Sequence, residues 1–315
     1  MYAASTFVGR DKAKRLFMGI QSIVFCLILG CLVSVLIIPV MLLPDLMHSI
    51  QLRKGKKKGA VGAPRFGGIA VMTAFLGVVL LSCLLRPSSL AGPENSQLHL
   101  VWGALAMFFL GVWNDYRQPG TLHLLVLQAA VAAGLFTQGI QLESFDGVAV
   151  SAFSLEGLCS LLITVFWIVG LTNLPRLMDR VTGLAGSVCG LAFALVTLTA
   201  YWSEAPLAAY WAAGVTGALL GFLFYNLPPV TRVRLGGAGA SLLGFLVGSL
   251  TILGADRSPA LGATVTPFLV LTLLSLSAAF AVLRRDLSLF AIIHSGSRAR
   301  EGSGLSQRDI KPHAS

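Results

Sequence analysis

The residues Arg232–Phe245, RVRLGGAGASLLGF, place two arginines directly before a glycine-rich turn that runs into an apolar segment. Glycines at such a junction let the backbone approach a phosphate closely, and the N–H groups at a helix N-terminus attract anions. The stretch contains no acidic residue, no histidine and no lysine. It is therefore either a working anion site or the remainder of a site that has lost part of its chemistry.

Three other polar segments interrupt the apolar sequence and carry the remaining candidate residues. They cover residues 43–70, 114–120 and 172–186, and the glycine-rich stretch belongs to a fourth, residues 225–239. The segments 114–120 and 172–186 contain Asp115 and Asp179, the two carboxylates considered as metal ligands or catalytic residues. Each carboxylate also has a structural interpretation, as a helix-capping residue for Asp115 and as a salt-bridge partner for Asp179.

The elements that must position these segments are membrane-spanning helices. Of the 315 residues, 56% are hydrophobic and only 11% are charged, whereas a soluble protein carries about 25% charged residues. The apolar runs approach the ~20 residues that cross a bilayer, and they are continuous, which excludes the alternating pattern of a β-barrel. We therefore predict an all-α, polytopic integral membrane helix bundle of about nine transmembrane helices. The predicted spans are 21–43, 67–85, 98–113, 121–136, 155–172, 183–202, 207–224, 238–254 and 263–283.

The spans divide the chain into a basic N-terminal arm (1–20), a transmembrane domain (21–283) and a basic tail (284–315). Most of the 23 Lys and Arg residues fall in the tail and in the loops after the first, third, fifth and seventh spans. Positively charged loops favour the cytoplasm, so these four polar loops and the tail are predicted to be cytoplasmic, although the four basic residues of the arm oppose this orientation. The net charge of +10 is then explained by membrane topology and contact with anionic lipids, and no nucleic-acid partner is expected.

Five ordered motifs in these segments resemble a known family of membrane enzymes. They are Pro64–Ala70 (PRFGGIA), Leu110–Asp115 (LGVWND), Gln128–Ala130 (QAA), Thr172–Gly186 (TNLPRLMDRVTGLAG) and Tyr225–Pro229 (YNLPP) followed by Gly236–Ala240 (GGAGA). In this order they resemble the polyprenyl-phosphate N-acetylhexosamine-1-phosphate transferases, that is, the glycosyltransferase family 4 or phospho-N-acetylmuramoyl-pentapeptide-transferase-like proteins. The transmembrane domain is accordingly interpreted as transferase-like.

The resemblance implies a reaction, a cofactor and partners. Family members transfer a sugar-1-phosphate from a UDP-N-acetylhexosamine to undecaprenyl or another polyprenyl phosphate, with release of UMP, in cell-envelope polysaccharide synthesis. Mg²⁺ is the implied cofactor, because two repelling anions must be brought together. The implied partners are the lipid phosphate, the UDP-sugar and membrane lipids, with other envelope-glycan proteins or a second copy of the chain as further candidates. The implied location is the bacterial inner membrane.

The same resemblance assigns roles to individual residues. Asp115, Asp179 and His294 are the expected catalytic residues, and Asp115 and Asp179 are also the expected metal ligands. The expected substrate-binding residues are Arg65, Asn173, Arg176, Arg180, Asn226, Gly236 and Gly237.

Several family positions are substituted in this chain. The five positions where the family has carboxylates are occupied here by Asn114, Asp115, Asp179, Thr182 and Gly237. Arg176 and Arg180 replace neutral residues, and an arginine close to Asp179 would pair with it and compete with Mg²⁺. We therefore expect a catalytically weakened or inactive protein with a partner or regulatory role. An active transferase with a rearranged site, in which the arginines bind the diphosphate, is the alternative. A small-solute transporter is a further alternative, although the polar residues gather at one end of the predicted helices.

Overall fold

In the computed structural model, the structure of the chain is described for residues 19–43, 66–85, 96–141, 155–179, 181–227, 233–255, 267 and 269–283. Most of the predicted N-terminal arm and the whole of the predicted tail lie outside these ranges. Nine helices account for most of the described residues, and no strand occurs among them. They are α1 Gly19–Leu43, α2 Gly67–Leu85, α3 Ser96–Arg117, α4 Thr121–Phe136, α5 Leu155–Met178, α6 Leu184–Trp202, α7 Pro206–Asn226, α8 Gly236–Ala255 and α9 Leu269–Leu283.

The helices form a polytopic membrane bundle, as predicted. Seven of those in the described ranges are long and apolar enough to cross a bilayer, and α4 and α9 are shorter apolar helices. Serine and threonine hydroxyls inside the spans donate hydrogen bonds to the carbonyl one turn earlier, as Thr172 does to Ile168 and Thr216 to Ala212. Such bonds satisfy the hydroxyl groups where water is absent.

Helix α8 lies at the centre of the bundle, and nearly all of its apolar span is buried. It packs against α2, α3, α5, α6 and α7. Glycine permits the closest of these approaches, because a Cβ atom at Gly244 would overlap the carbonyl group of Leu171 on α5. Small residues at helix contacts are typical of membrane bundles, where close backbone packing drives association. The central position of α8 means that its N-terminus faces the ends of several other helices.

Four predicted helix boundaries were wrong, and each error moves site residues from a loop into a helix. Helix α3 continues to Arg117, α5 continues to Met178 through Pro175, α7 continues to Asn226, and α8 begins at Gly236. Polar residues and a proline had indicated loops. Within α5, however, Asn173 donates to the carbonyl of Val169, so its amide is satisfied without leaving the helix. Asp115, Asn173, Arg176 and the glycines of α8 are therefore held on helices, whose geometry is more rigid than that of a loop.

Candidate functional site at the amino end of α8

Two carboxylates converge on the N-terminus of α8, and the first is Asp179. This residue directly follows α5, and its two carboxylate oxygens accept hydrogen bonds from the backbone N–H groups of Leu235 and Gly236, both at 3.2 Å. Gly236 has a φ of +79°, a backbone conformation that glycine adopts without strain. The first N–H groups of a helix lack partners within the helix, and a carboxylate there is also favoured by the helix dipole. Asp179 therefore caps the N-terminus of α8, although it belongs to the turn that follows α5.

The charge partner of Asp179 is Arg234. A guanidinium nitrogen, Nη2, lies 3.8 Å from Asp179 Oδ2 and donates a 2.6 Å hydrogen bond to the backbone carbonyl of Asp179. The side chain of Asp179 is only 16% exposed, whereas that of Arg234 is 39% exposed. Arg234 therefore joins the segment before α8 to the end of α5. It was not among the predicted site residues.

Burial raises the pKa of the Asp179 carboxyl above its ordinary value, and the charge of Asp115 raises it further. The guanidinium of Arg234 and the two backbone N–H groups lower this pKa without cancelling the rise. Desolvation disfavours the charged form of a carboxyl, whereas hydrogen bonds to that form favour it. Asp179 is thus a carboxylate that its surroundings only partly stabilise.

Asp115, the second carboxylate, lies in the last turn of α3. Its Oδ2 atom accepts a hydrogen bond of 3.2 Å from the backbone N–H of Ala238. A Cβ atom added to Gly237 would lie 2.5 Å from Asp115 Oδ1, so no side chain fits there without a shift of its neighbours. The position at which the family resemblance implies a carboxylate is therefore filled by the carboxylate of Asp115.

Arg176 lies beside this pair and is fixed by neighbours on α5 and α8. Its Nη2 atom donates a 2.5 Å hydrogen bond to Ser241 Oγ, and its Nη1 atom donates a 3.4 Å bond to Asn173 Oδ1. Ser241 in turn donates to the carbonyl of Gly237. The charge of Arg176 interacts with that of Asp115, whereas the guanidinium bonded to Asp179 is that of Arg234. Of the two arginines predicted to flank Asp179, Arg176 interacts with Asp115, and Arg180 lies outside the described residues.

Asn226 connects the segments around the site. It is buried, its Oδ1 atom accepts the N–H of Gly183 at 2.8 Å, and its Nδ2 atom donates to the carbonyl of Val233 at 2.7 Å. These two bonds hold the start of α6 and the segment before α8 against the end of α7. The side chain predicted to contact substrate thus has hydrogen bonds to the protein at both of its polar atoms.

The described residues do not fit the Mg²⁺ ion that the family resemblance implies. No group of three or more His, Cys, Asp or Glu side chains that could hold a metal occurs within the described ranges. Mg²⁺ takes a nearly octahedral shell of oxygens, usually including one or two carboxylates. Both available carboxylates already accept N–H groups of α8 or its flanking segment, and each interacts electrostatically with an arginine. A divalent ion here would have to displace these contacts.

A comparison with models of known protein families identifies the family of the chain. The family model described as glycosyl transferase family 4 matches residues 97–255, half of the chain, and includes both carboxylates and the N-terminus of α8. The chain belongs to this family. The family membership that the motifs predicted is therefore confirmed.

Two named relatives give distant matches. The chain is 27% identical over 166 residues to a probable undecaprenyl-phosphate N-acetylglucosaminyl 1-phosphate transferase of Bacillus subtilis, covering 53% of this chain and 44% of that protein. It is 28% identical over 180 residues to a phospho-N-acetylmuramoyl-pentapeptide-transferase of Listeria monocytogenes, covering 53% and 54%. Thus, the chain spans about half the length of the first relatives it matches.

The site brings together only part of the predicted set of family residues. Asp115, Asp179, Asn173, Arg176, Gly236 and Gly237 surround the N-terminus of α8, whereas Asn226 stabilises the adjoining turns. Arg65, Arg180 and His294 lie outside the described residues.

Three residues of the site were missing from the sequence-based set: Arg234, Gln128 and Ser241. A signal existed for Arg234, because an arginine before a helix N-terminus is electrostatically unfavourable unless a carboxylate lies near it. Ser241 lies one helical turn after Gly237 and thus on the same face of α8. Nothing in the sequence indicated that Gln128 would contact Asn173.

Proposed function

We propose that the chain binds a polyprenyl phosphate and a UDP-N-acetylhexosamine at the amino end of α8, with sugar-phosphate transfer weakened or absent. The role suggested is that of a partner or regulator in cell-envelope polysaccharide synthesis at the bacterial inner membrane. The observation that carries this proposal is that the Asp115 carboxylate occupies the space beside Gly237, so a side chain at position 237 would require Asp115 to move. Membership of the family supports the class of ligand, since the relatives are named for transfer to undecaprenyl phosphate or for related transfer of a phosphosugar.

An apolar groove beside the last turns of α5 supports the lipid part of the proposal. The groove has a volume of about 1050 Å³ and is lined by Leu174 and Leu177 of α5, Leu184 of α6 and the α9 residues 275–280, 282 and 283. A lipid chain in this groove would bring its phosphate to the level of the site while the tail stays among apolar side chains. The groove and the charged residues therefore fit the two parts of one amphipathic ligand.

Native mass spectrometry with undecaprenyl phosphate tests the lipid interaction. We expect Leu177→Trp to reduce lipid binding at least tenfold, because the larger ring would obstruct the groove where it meets the end of α5, and Leu191→Trp to leave it unchanged. Leu191 is an exposed leucine of α6 that does not line the groove. Equal binding by both variants and the wild type would exclude this groove as the lipid site.

Release of UMP from UDP-N-acetylglucosamine and undecaprenyl phosphate tests the catalytic part. We expect a rate at least ~10²-fold below that of the Bacillus subtilis relative under the same conditions, the scale of loss for one electrostatic group of an active site. A comparable rate would contradict the weakened-enzyme proposal.

The second candidate, an active transferase with a rearranged site, is favoured by the electrostatic coupling of Asp115 to both Asp179 and Arg176. It requires UMP release that Asp115→Asn abolishes, with the variant still eluting as a folded protein. If UMP release is absent in the wild type, or is unchanged in the variant, this candidate fails.

A further inference from the structure

Arg176 is held by hydrogen bonds that connect three helices. Its two terminal nitrogens bond to Asn173 of α5 and Ser241 of α8. Asn173 Nδ2 donates a 2.8 Å bond to Oε1 of Gln128, a fully buried residue of α4. Because each bonded neighbour is itself fixed in a helix, the guanidinium has a defined position beside α8.

This fixed cation interacts with the carboxylate that would otherwise be available to a metal. Arg176 bonds to Ser241, which donates to the carbonyl of Gly237, and the Asp115 carboxylate lies beside Gly237, so the opposite charges of Arg176 and Asp115 lie near each other. On the other side of Asp115, Gly237 supplies no side-chain ligand, and Asp115 Oδ1 occupies the space that a Cβ atom at position 237 would take. The negative charge of Asp115 is therefore balanced by the positive charge of Arg176, a residue of the same chain.

The guanidinium also has a hydrogen-bonding group without a partner. The Nε atom of Arg176 is buried and has no hydrogen-bond partner among the described residues. A buried donor without an acceptor costs about 1–3 kcal/mol. Arginine nitrogens match the oxygens of phosphate groups well, so an anionic oxygen is a chemically suitable partner.

We propose that Arg176 is the resident cation of this site, where it balances Asp115, excludes a divalent metal and binds a ligand phosphate without Mg²⁺. Asn173, Ser241 and, through Asn173, Gln128 act as positioning residues for its guanidinium. The ligand part rests on the function proposed above, whereas the exclusion of metal does not.

Binding of Mn²⁺ to the purified chain, without nucleotide or lipid, tests the exclusion of metal. Mn²⁺ shares the oxygen ligands of Mg²⁺, and its free ion is quantified by electron paramagnetic resonance. We expect at least tenfold tighter Mn²⁺ binding by Arg176→Asn than by the wild type, because the variant removes the charge that competes for Asp115. Arg176→Lys, which keeps the charge, and Arg117→Asn, which removes an exposed charge from α3, should bind as weakly as the wild type.

Stoichiometric Mn²⁺ binding by the wild type would overturn the proposal, as would equal binding by the wild type and Arg176→Asn.

A second experiment uses only the wild type, so it remains decisive if Arg176→Asn does not fold. We expect UDP-N-acetylglucosamine to bind the wild type with the same affinity in excess EDTA and in excess MgCl₂. A loss of affinity of tenfold or more in EDTA would overturn metal-independent binding while leaving the proposed function intact. Absence of nucleotide-sugar binding under both conditions would refute the ligand part together with the proposed function, and the Mn²⁺ comparison would still decide the exclusion of metal.

Discussion

The contact between Gly237 and Asp115 is the smallest feature on which the interpretation of the site depends. We expect Gly237→Ala to lower the free energy of unfolding by about 0.5–2 kcal/mol, because the added methyl group would displace the Asp115 carboxylate from the backbone N–H that it caps. The Cβ atom would lie 2.5 Å from Asp115 Oδ1, next to the carboxylate that caps the N–H of Ala238. Thermal unfolding in detergent measures the change.

The control for this substitution is Gly77→Ala on α2. A Cβ atom at Gly77 meets nothing within 4 Å, and alanine is favoured over glycine inside a helix. This variant should be as stable as the wild type or more stable. If Gly237→Ala unfolds at the same temperature as Gly77→Ala, the close contact with Asp115 does not exist.

The buried carboxyl of Asp179 leads to a prediction about pH. Because burial raises its pKa in the native state, the folded chain holds this proton more tightly than the unfolded chain. The contribution of Asp179 to the free energy of unfolding is therefore largest below the ordinary pKa of 3.8 and falls as pH rises towards the native value. Asp179→Asn has no titrating group at this position and lacks this dependence.

The measurement is the difference in unfolding temperature between the wild type and Asp179→Asn over a series of pH values. We expect the stability of the wild type relative to the variant to decrease as pH rises through this window. A relative stability that increases with pH would show that the N–H groups and Arg234 outweigh burial, and that the native pKa is lowered.

At the scale of elements, the packing of α5 against α8 determines where the charged groups meet. Leu171 of α5 lies against Gly244 of α8, while Arg176 and Asp179 follow about one and two turns later on the same helix or directly after it. We expect Gly244→Ala to lower the free energy of unfolding by about 1–3 kcal/mol, because a methyl group would overlap the Leu171 carbonyl and separate the two helices.

Gly170→Ala is the matched control on the other helix, since a Cβ atom there meets nothing within 4 Å. Thermal unfolding of the two variants compares a close contact with an open position. A variant with unchanged stability would contradict the close α5–α8 packing.

At the scale of the whole molecule, hydropathy was sufficient to predict the bundle. Long apolar runs have few alternatives to helices in a bilayer, because every backbone polar group must be satisfied within the segment. The helix ends near the site were less predictable. Pro175 and its polar neighbours indicated a loop, yet local side-chain bonds to earlier carbonyls and packing against α8 maintain the helix through Met178.

The candidate site was only partly predictable for a related reason. Motifs identified Asp115, Asp179 and Arg176 along the chain, but pairing depends on which helix ends meet in space. Asp179 interacts with Arg234, and Asp115 interacts with Arg176. These pairs follow from the arrangement of α3, α5 and α8. Sequence spacing alone carries no information on such contacts between distant segments.

The distribution of positive charge predicts the orientation of the whole bundle, with the carboxylate end in the cytoplasm. Gln118, directly after α3, lies at this end, and Glu204, in the short link between α6 and α7, lies at the opposite end; both are exposed and have positive φ values of 46° and 55°. In a background without the native cysteines, we expect a thiol reagent that cannot cross the inner membrane to label Glu204→Cys in intact cells and to spare Gln118→Cys until the cells are lysed. Because the two positions have similar exposure and backbone conformation, a difference in labelling reports the side of the membrane. The reverse pattern would place the site outside the cytoplasm, away from any cytoplasmic nucleotide-sugar, and would refute the proposed function as well as the orientation.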